Sequence, residues 1–254
     1  MTKEDYIKRV LLIMNESGLM DLNQNSFIGA DTAQVDRYIE GSYVDAWRRC
    51  ATVMPRAWFR NDSFLKQPHY PDLLCGTGFV VLPDDFYLLT GFKMKGWTKA
   101  VYEAYIDNDK TAAIQSNENT RGSEIRPVCT ISNRLVKKLV AIKLEFENET
   151  DNDKEEDDGK IKQVLNYYSL QKGLVKHEIE EAIYVPVCKP LIECKLEDEL
   201  EIKPQVIEIL AYLSASTVFT LFEKYDIAKA LEQRAIEMFP GLKSIRGTNV
   251  TVKQ

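Results

Sequence analysis

Two histidines, five cysteines and one dense run of carboxylates are the side chains from which this chain could build a reactive site. His69 lies between Pro68 and Tyr70, and His177 lies in the polar tripeptide Lys176-His177-Glu178. A hydrolytic triad needs a histidine within hydrogen-bond reach of a serine or thiol, with a carboxylate behind it. Neither histidine has an acid or a cysteine at a spacing that selects it as such a base. Both read as structural, His177 as a surface residue. The cysteines are Cys50, Cys75, Cys129, Cys188 and Cys194. Their number is odd and no pair has the C-x-x-C spacing, so they read as buried, reduced thiols acting as small hydrophobes. That usage fits a chain made in a reducing cytoplasm.

Seven carboxylates fall between Glu149 and Asp158. Calcium loops of the EF-hand type need glycine at their sixth position for a sharp turn, and counting from Asp151 that position is Glu156. The run therefore reads as a solvated hairpin tip. Glycine-rich phosphate cradles, H-E-x-x-H and G-x-S-x-G are all missing. Acids are plentiful enough for a paired-carboxylate hydrolase, yet their spacing selects no pair. No catalytic, cofactor or metal residue is assigned. The net charge of -6 opposes a surface that grips phosphates, and no basic-aromatic interleave suggests a single-strand groove. No apolar run approaches the roughly 18 residues of a membrane span. Val10–Met14 is too short for a signal peptide, and none is expected.

The elements that would position these groups read as α+β. Thr2 to Ser17 is helical, with Thr2 as N-cap and Asp5 completing a capping box, and Gly18 ends it. Asp31 to Phe59 is a second helical region, with Val35, Ile39, Ser42, Ala46 and Val53 on one stripe and a break near Pro55. Asn61 to Gly78 reads as a loop. A β-rich middle follows: Phe79–Leu82, a turn at Pro83-Asp84-Asp85, an extended or short helical pattern over Phe86–Met94, and an alternating strand from Trp97 to Ile106. Residues 108–121 read as a loop. Glu124–Ser132 and Leu135–Phe146 read as strands joined at Ser132-Asn133-Arg134, and Lys160–Gln171 and Glu181–Val187 as the last strands. Pro186 and Pro190 suggest an edge strand or the exit from the sheet. From Lys203 to Phe239 runs the longest helical pattern, with Pro204 in its first turn and a break near Tyr225-Asp226, where Asp226 caps the second piece. Ala211, Ser214, Ala215 and Ser216 are small enough to let another helix approach closely. The expected organisation is a helical domain from residues 1–78 and 202–241 packed as a bundle, an inserted antiparallel β-rich domain over 79–201 with the acidic loop 149–158, and a tail, 242–254, without helical pattern.

This order of parts resembles a known family. Two N-terminal helices, Leu82-Pro83-Asp84-Asp85-Phe86 with Trp97 beyond it, a β-rich insertion, and paired helices after Ile202-x-Pro204 are similar to the head-to-tail adaptor, or tail tubular, proteins of short-tailed bacteriophages. The stretches Ala211-Tyr212-Leu213 and Ala228-Lys229-Ala230-Leu231-Glu232-Gln233-Arg234-Ala235 resemble the last two helices of that family. The acidic insertion and the cysteine content fit ring proteins of crAss-like phages. The resemblance implies a structural virion protein, not an enzyme. It implies a homo-oligomeric ring, usually of twelve copies, below the portal protein, in the neck or tail of the particle. The ring joins head to tail, continues the DNA channel and offers a surface to downstream tail or ring proteins. It implies no cofactor, no membrane and no sequence-specific contact with DNA. Twelve copies at -6 each carry -72, and an acidic channel wall would keep phosphates from sticking. On this reading the tail is an arm ordered by a partner, with Leu242, Lys243, Ile245, Arg246, Val250 and Val252 as contact residues. The alternatives are a carboxylate-based hydrolase or another phage assembly protein.

Overall fold

The computed structural model describes residues 1–16, 32–72, 74–106, 110–115, 117, 119–136, 160–168, 177–201 and 203–247. In chain order the elements are α1 (Lys3–Met14), α2 (Thr32–Val53), β1 (Asp62–Ser63), β2 (His69–Asp72), β3 (Thr77–Val81), β4 (Phe86–Met94), β5 (Tyr105–Ile106), α3 (Lys110–Gln115), β6 (Cys129–Val136), β7 (Lys160–Tyr167), β8 (Ile179–Pro186), α4 (Pro204–Leu221) and α5 (Tyr225–Met238). The chain is α+β. It forms two compact units, Met1–Asn61 with Pro186–Gln254, and Asp62–Val185. The boundaries thus fall at 61/62 and 185/186 rather than at 78/79 and 201/202. The first shift arises because residues 62–63 and 69–72 pair as strands instead of forming a loop.

The helical unit is built around α4. Val206, Ile209, Leu210, Leu213, Val218 and Phe219 are buried on it, and so are Ala211, Ser214, Ala215 and Ser216. The small residues do what their size predicts. Tyr6 of α1 reaches Ser214, hydroxyl to hydroxyl at 2.8 Å, and Ser216 donates to the carbonyl of Ala228 on α5 at 2.7 Å. A helix apolar on so many sides must be surrounded, and α1, α2 and α5 all pack on it. By length and composition α4 is also the one described helix that could cross a membrane, with 56% of it buried within the protein. The sequence reading missed this because alanine and serine dilute the run without adding charge.

Helix α1 begins as expected. Thr2 accepts from the Asp5 N–H and Asp5 accepts from the Thr2 N–H. The N-terminus is pinned to the C-terminal half of the unit by backbone bonds from Lys3 N to Asp198 O, Glu4 N to Leu196 O and Leu200 N to Met1 O. The Lys3 ammonium is buried, lies 2.6 Å from Glu40 on α2 and also donates to the Cys194 carbonyl at 3.0 Å. Arg9 pairs with Glu208 at 2.7 Å and Arg49 with Glu232 at 2.6 Å. Each links an N-terminal helix to a C-terminal one.

The break between α4 and α5 lies at Phe222–Lys224. Lys224 donates to Phe219 O and Glu223 to Thr220 O, the paired bonds of a Schellman turn. That turn puts its penultimate residue in the left-handed region, and here the residue is Glu223, at φ 60°. Asp226 sits in the first turn of α5 but does not cap it, since the N-cap is Lys224 with no side-chain bond. Its charge still complements the helix N-terminus.

In the other unit, five strands run in the order β2-β3-β7-β6-β5 and three in the order β1-β8-β4. Pairing is antiparallel in β2–β3, β3–β7 and β6–β7, but β5 lies parallel to β6, so the sheet is not wholly antiparallel as expected. Three further expectations fail. Ser132-Asn133-Arg134 is no hairpin turn, because these residues stay in register with Val164, Gln163 and Lys162 inside one continuous strand. Trp97–Ile106 is not a long strand, because Gly96 at φ 98° turns the chain and Trp97 anchors in the core. Only the Phe92–Val101 bridge and β5 survive from it. Residues 110–115 are helical rather than loop. The acidic run 149–158 and the segment 137–146 lie outside the described residues. The core gathers Phe64, Val80, Leu89, Phe92, Met94, Trp97, Leu165, Tyr167 and Tyr184. Phe64 stacks on Phe92 at 6.1 Å and meets Tyr184 edge-on at 5.9 Å.

Two outcomes follow for stability, both read by denaturant unfolding. Glu40→Ala strands the buried Lys3 ammonium with one carbonyl partner and should lower stability by about 3 kcal/mol. Glu223→Gly relieves the left-handed conformation and should raise it by about 0.5 kcal/mol.

Candidate functional site

The expected contact arm is the first place to look for a site. Residues 240–247 form a 3-10 helix rather than a patternless tail. It starts at Pro240 and lies against α5 and α2. Leu242 is 1% exposed, so its side chain belongs to the core of the unit and is not a docking residue. Lys243 is exposed. Ile245 and Arg246 sit further along the same 3-10 helix, and Val250 and Val252 lie outside the described residues. Just upstream, Tyr212, Arg234, Glu237 and Met238 line an open groove, and Leu221, Tyr225 and Met238 expose apolar side chains along the two C-terminal helices.

The second place is where the two histidines meet. His69 on β2 and His177, two residues before β8, both bond to the hydroxyl of Tyr167 on β7. His69 Nε2 lies 2.8 Å and His177 Nδ1 3.0 Å from that oxygen. Tyr167 is fully buried and His177 is 6% exposed, so the expected surface position of His177 is wrong. The histidine is drawn inward because the β sheet places the Tyr167 hydroxyl where only a buried partner can satisfy it. Across the ladder from Tyr167 stands Gly78. A Cβ at Gly78 would collide with the Tyr167 hydroxyl and lie 2.8 Å from the Tyr70 carbonyl oxygen, so this glycine makes the room for the phenol.

Burial sets the protonation of the trio. It pulls His69 down to about 4, helped by the nearby His177. It pulls His177 down as well, with Asp72 partly opposing. It pushes the Tyr167 phenol up. At neutral pH all three are uncharged. The phenol is no nucleophile in that state, and among the described residues both histidines spend a ring nitrogen on the Tyr167 hydroxyl and bond no thiol or carboxylate. Three of the thiols are held protonated too. Burial pushes Cys50 and Cys188 up to about 12 and Cys129 higher still. Only Cys50 and Cys129 meet the expectation of buried thiols, since Cys188 and Cys194 are half-buried and Cys75 is exposed.

On the opposite face of the same strands, Asn166 donates to Ser132 Oγ at 2.9 Å and to Thr130 Oγ1 at 3.2 Å. Thr130 in turn meets the Tyr168 hydroxyl at 3.1 Å. Arg134 lies over the Phe79 ring at 4.9 Å. Sequence reasoning found neither cluster. His69 and Tyr167 are 98 positions apart, and only the pairing of β2, β3 and β7 brings them together. Among the described residues no group of three or more His, Cys, Asp or Glu side chains is placed to hold a metal.

Compared with known proteins, no family model matches the chain, and no curated protein matches it.

Gly78→Ala should displace the Tyr167 ring and lower stability by about 2 kcal/mol. A melting temperature unchanged from the parent would show that the phenol has more freedom than the packing implies.

Proposed function

We propose that this chain is a structural virion protein, a ring-forming head-to-tail adaptor of a short-tailed bacteriophage. Its copies assemble below the portal protein, and the ring continues the DNA channel toward downstream tail proteins. The observation that carries the reading is the organisation of the helical unit. Helices from both ends of the chain close on one another, with residues 62–185 as a separate β-rich unit between them. That is the order of parts on which the resemblance to the adaptors rests. Support also comes from the C-terminal helices, where Leu221, Tyr225 and Met238 are 57%, 63% and 48% exposed. Exposed large apolar side chains suit contact with a neighbouring subunit or ring, and Met238 also lines the open groove.

The hydrolase alternative would call on Asp36 and Glu40, four residues apart on α2. Burial and the Glu40 charge raise the Asp36 carboxyl, as a general acid requires. Glu40, however, is engaged by Lys3 at 2.6 Å. That pairing suits a strut between helices better than a base awaiting substrate.

Two experiments test the proposal. Electron microscopy of the assembled particle should place the protein as a ring at the neck, and its absence from the neck would end the reading. Truncation after Lys243 keeps Leu242 in the core and removes the rest of the proposed arm. The shortened chain should fold with an unchanged melting temperature yet fail to join the particle. Incorporation at the parental level would remove the arm from the proposal and leave the ring.

A further inference from the structure

The three groups at Tyr167 obey a proton count. The phenol has one hydrogen, so it donates to one histidine and accepts from the other. Among the described residues, His177 Nε2 is buried with no hydrogen-bond partner. A buried N–H without an acceptor is the costlier orphan, so Nε2 is best left bare and the His177 proton placed on Nδ1. The bonds then run in one direction: His177 Nδ1–H donates to Tyr167 Oη, and Tyr167 O–H donates to His69 Nε2. Protonating His69 at Nε2 would set two N–H groups against one hydroxyl and leave the phenolic hydrogen without an acceptor. Protonating His177 at Nε2 would create a buried cation with an unanswered donor. Either event breaks the chain.

What the chain holds is an edge. Strand β2 is four residues long and lies at the border of its sheet, pairing only with β3. Its ladder is weakened by Pro71, which has no N–H to give. Apart from that ladder, Tyr70 stacks on Phe79 at 4.8 Å, and the His69–Tyr167 bond ties the strand to β7.

We propose that His69, Tyr167 and His177 form an acid-released latch that fastens the β2 edge and the entry to β8 onto β7 while both histidines are neutral. This goes beyond the adaptor reading and does not depend on it. Other ionisable groups near the latch are few among the described residues. Asp72, at the end of β2, is a carboxylate held low by the backbone N–H groups of Cys75 and Leu74, and its charge favours a cation on His177. Cys129 on β6, opposite Tyr167 in the ladder, is an uncharged thiol. Glu178, beside His177, is paired with Lys95 at 2.7 Å. On β3, Gly78 faces the Tyr167 phenol and Val80 stands opposite His69, and Phe92 of β4 lies 6.1 Å from the Tyr167 ring; none of the three can ionise.

The direction of the pH effect follows from the histidines being harder to protonate in the closed state than in the open one. The open state takes up protons from about pH 6.5 downward, and the closed state resists until about 4 at His69. Closure is therefore complete above 6.5 and weakens as pH falls through that window. His69 is partly solvated, which trims its share, so the expected shift of the opening equilibrium is on the order of ten-fold.

Hydrogen exchange on the full chain, with rates corrected for the pH dependence of exchange itself, provides the test. Between pH 7.5 and 4.5, amides in residues 66–82 should lose protection about ten-fold while those in 204–221 keep theirs. His69→Gln, which cannot titrate, should flatten that response. Unchanged protection of 66–82 would overturn the latch, as would an equal loss in 204–221, which marks general acid unfolding. Should the variant not fold, NMR titration of the two histidine rings in the parent decides. Both must titrate below the ordinary value, and a pair titrating near 6.5 overturns the proposal.

Discussion

The helical unit depends on one constraint: α4 is apolar on too many sides to stand alone. Its buried positions run around most of the helix, so it needs company on three sides, and it takes that company from both ends of the chain. Helices α1 and α2 come from the N-terminus and α5 from the C-terminus. Burial of this kind supplies non-directional attraction at roughly 25 cal/mol per Å². It does not say which helix goes where. Direction comes from the polar contacts at its border. Tyr6 can reach only a small hydroxyl residue at the close crossing, which Ser214 provides. Arg9–Glu208 and Arg49–Glu232 join N-terminal to C-terminal helices at positions that a one-turn slip would separate.

A unit made from two distant segments faces the entropy of closing everything between them. For a free loop as long as residues 62–185, that term is about 4 kcal/mol. The protein avoids most of it through the two-residue strand β1. Asp62 and Ser63 pair with Tyr184 and Ile183, so the β-rich unit begins and ends at neighbouring positions. Once that unit folds, the helical segments on either side of it are joined by a short link instead of a long loop. Phe64, the next residue, drives its ring into the aromatic centre of the core and donates its N–H to Ala182 O at 3.0 Å. The two-residue strand is thereby held by packing that its own hydrogen bonds could not supply.

How much of this could be read from the sequence differs by the range of the interaction. Local signals were legible. The Thr2–Asp5 capping box, the stop near Pro55, Pro204 at the start of α4 and the turn at residues 83–85 all depend on neighbours within a few positions, and all are present. The small residues of α4 also gave their meaning correctly, because size alone decides how near a helix can come. Edge strands and short strands were not legible. Residues 62–63 and 69–72 carry proline and polar side chains and look like loop, yet pairing with β8 and β3 makes them strands. Ser132-Asn133-Arg134 has the composition of a turn, but the ladder to β7 overrides it. Tertiary context sets strand propensity more than composition does. The histidine cluster was invisible for the same reason, since His69 lies 98 positions from Tyr167 and only strand pairing brings it there.

The two units also handle buried polarity differently, and this bears on how each can respond to its surroundings. In the helical unit the buried charge of Lys3 has a carboxylate and a carbonyl, and the Tyr6 and Ser216 hydroxyls are answered. Such satisfied contacts add rigidity. In the β-rich unit Trp97 Nε1, Asn166 Oδ1 and His177 Nε2 are buried without partners. Three unanswered atoms in one core weaken it relative to a fully paired one. Asn166 stands on the central strand β7, His177 just before β8 and Trp97 just after β4, so the polar cost falls within the core of this unit. A fold that completes its polar contacts between helices from opposite ends of the chain, and leaves these three open inside the β-rich core, keeps the helical unit as the better satisfied element. The β-rich unit is then the part whose closure conditions can change.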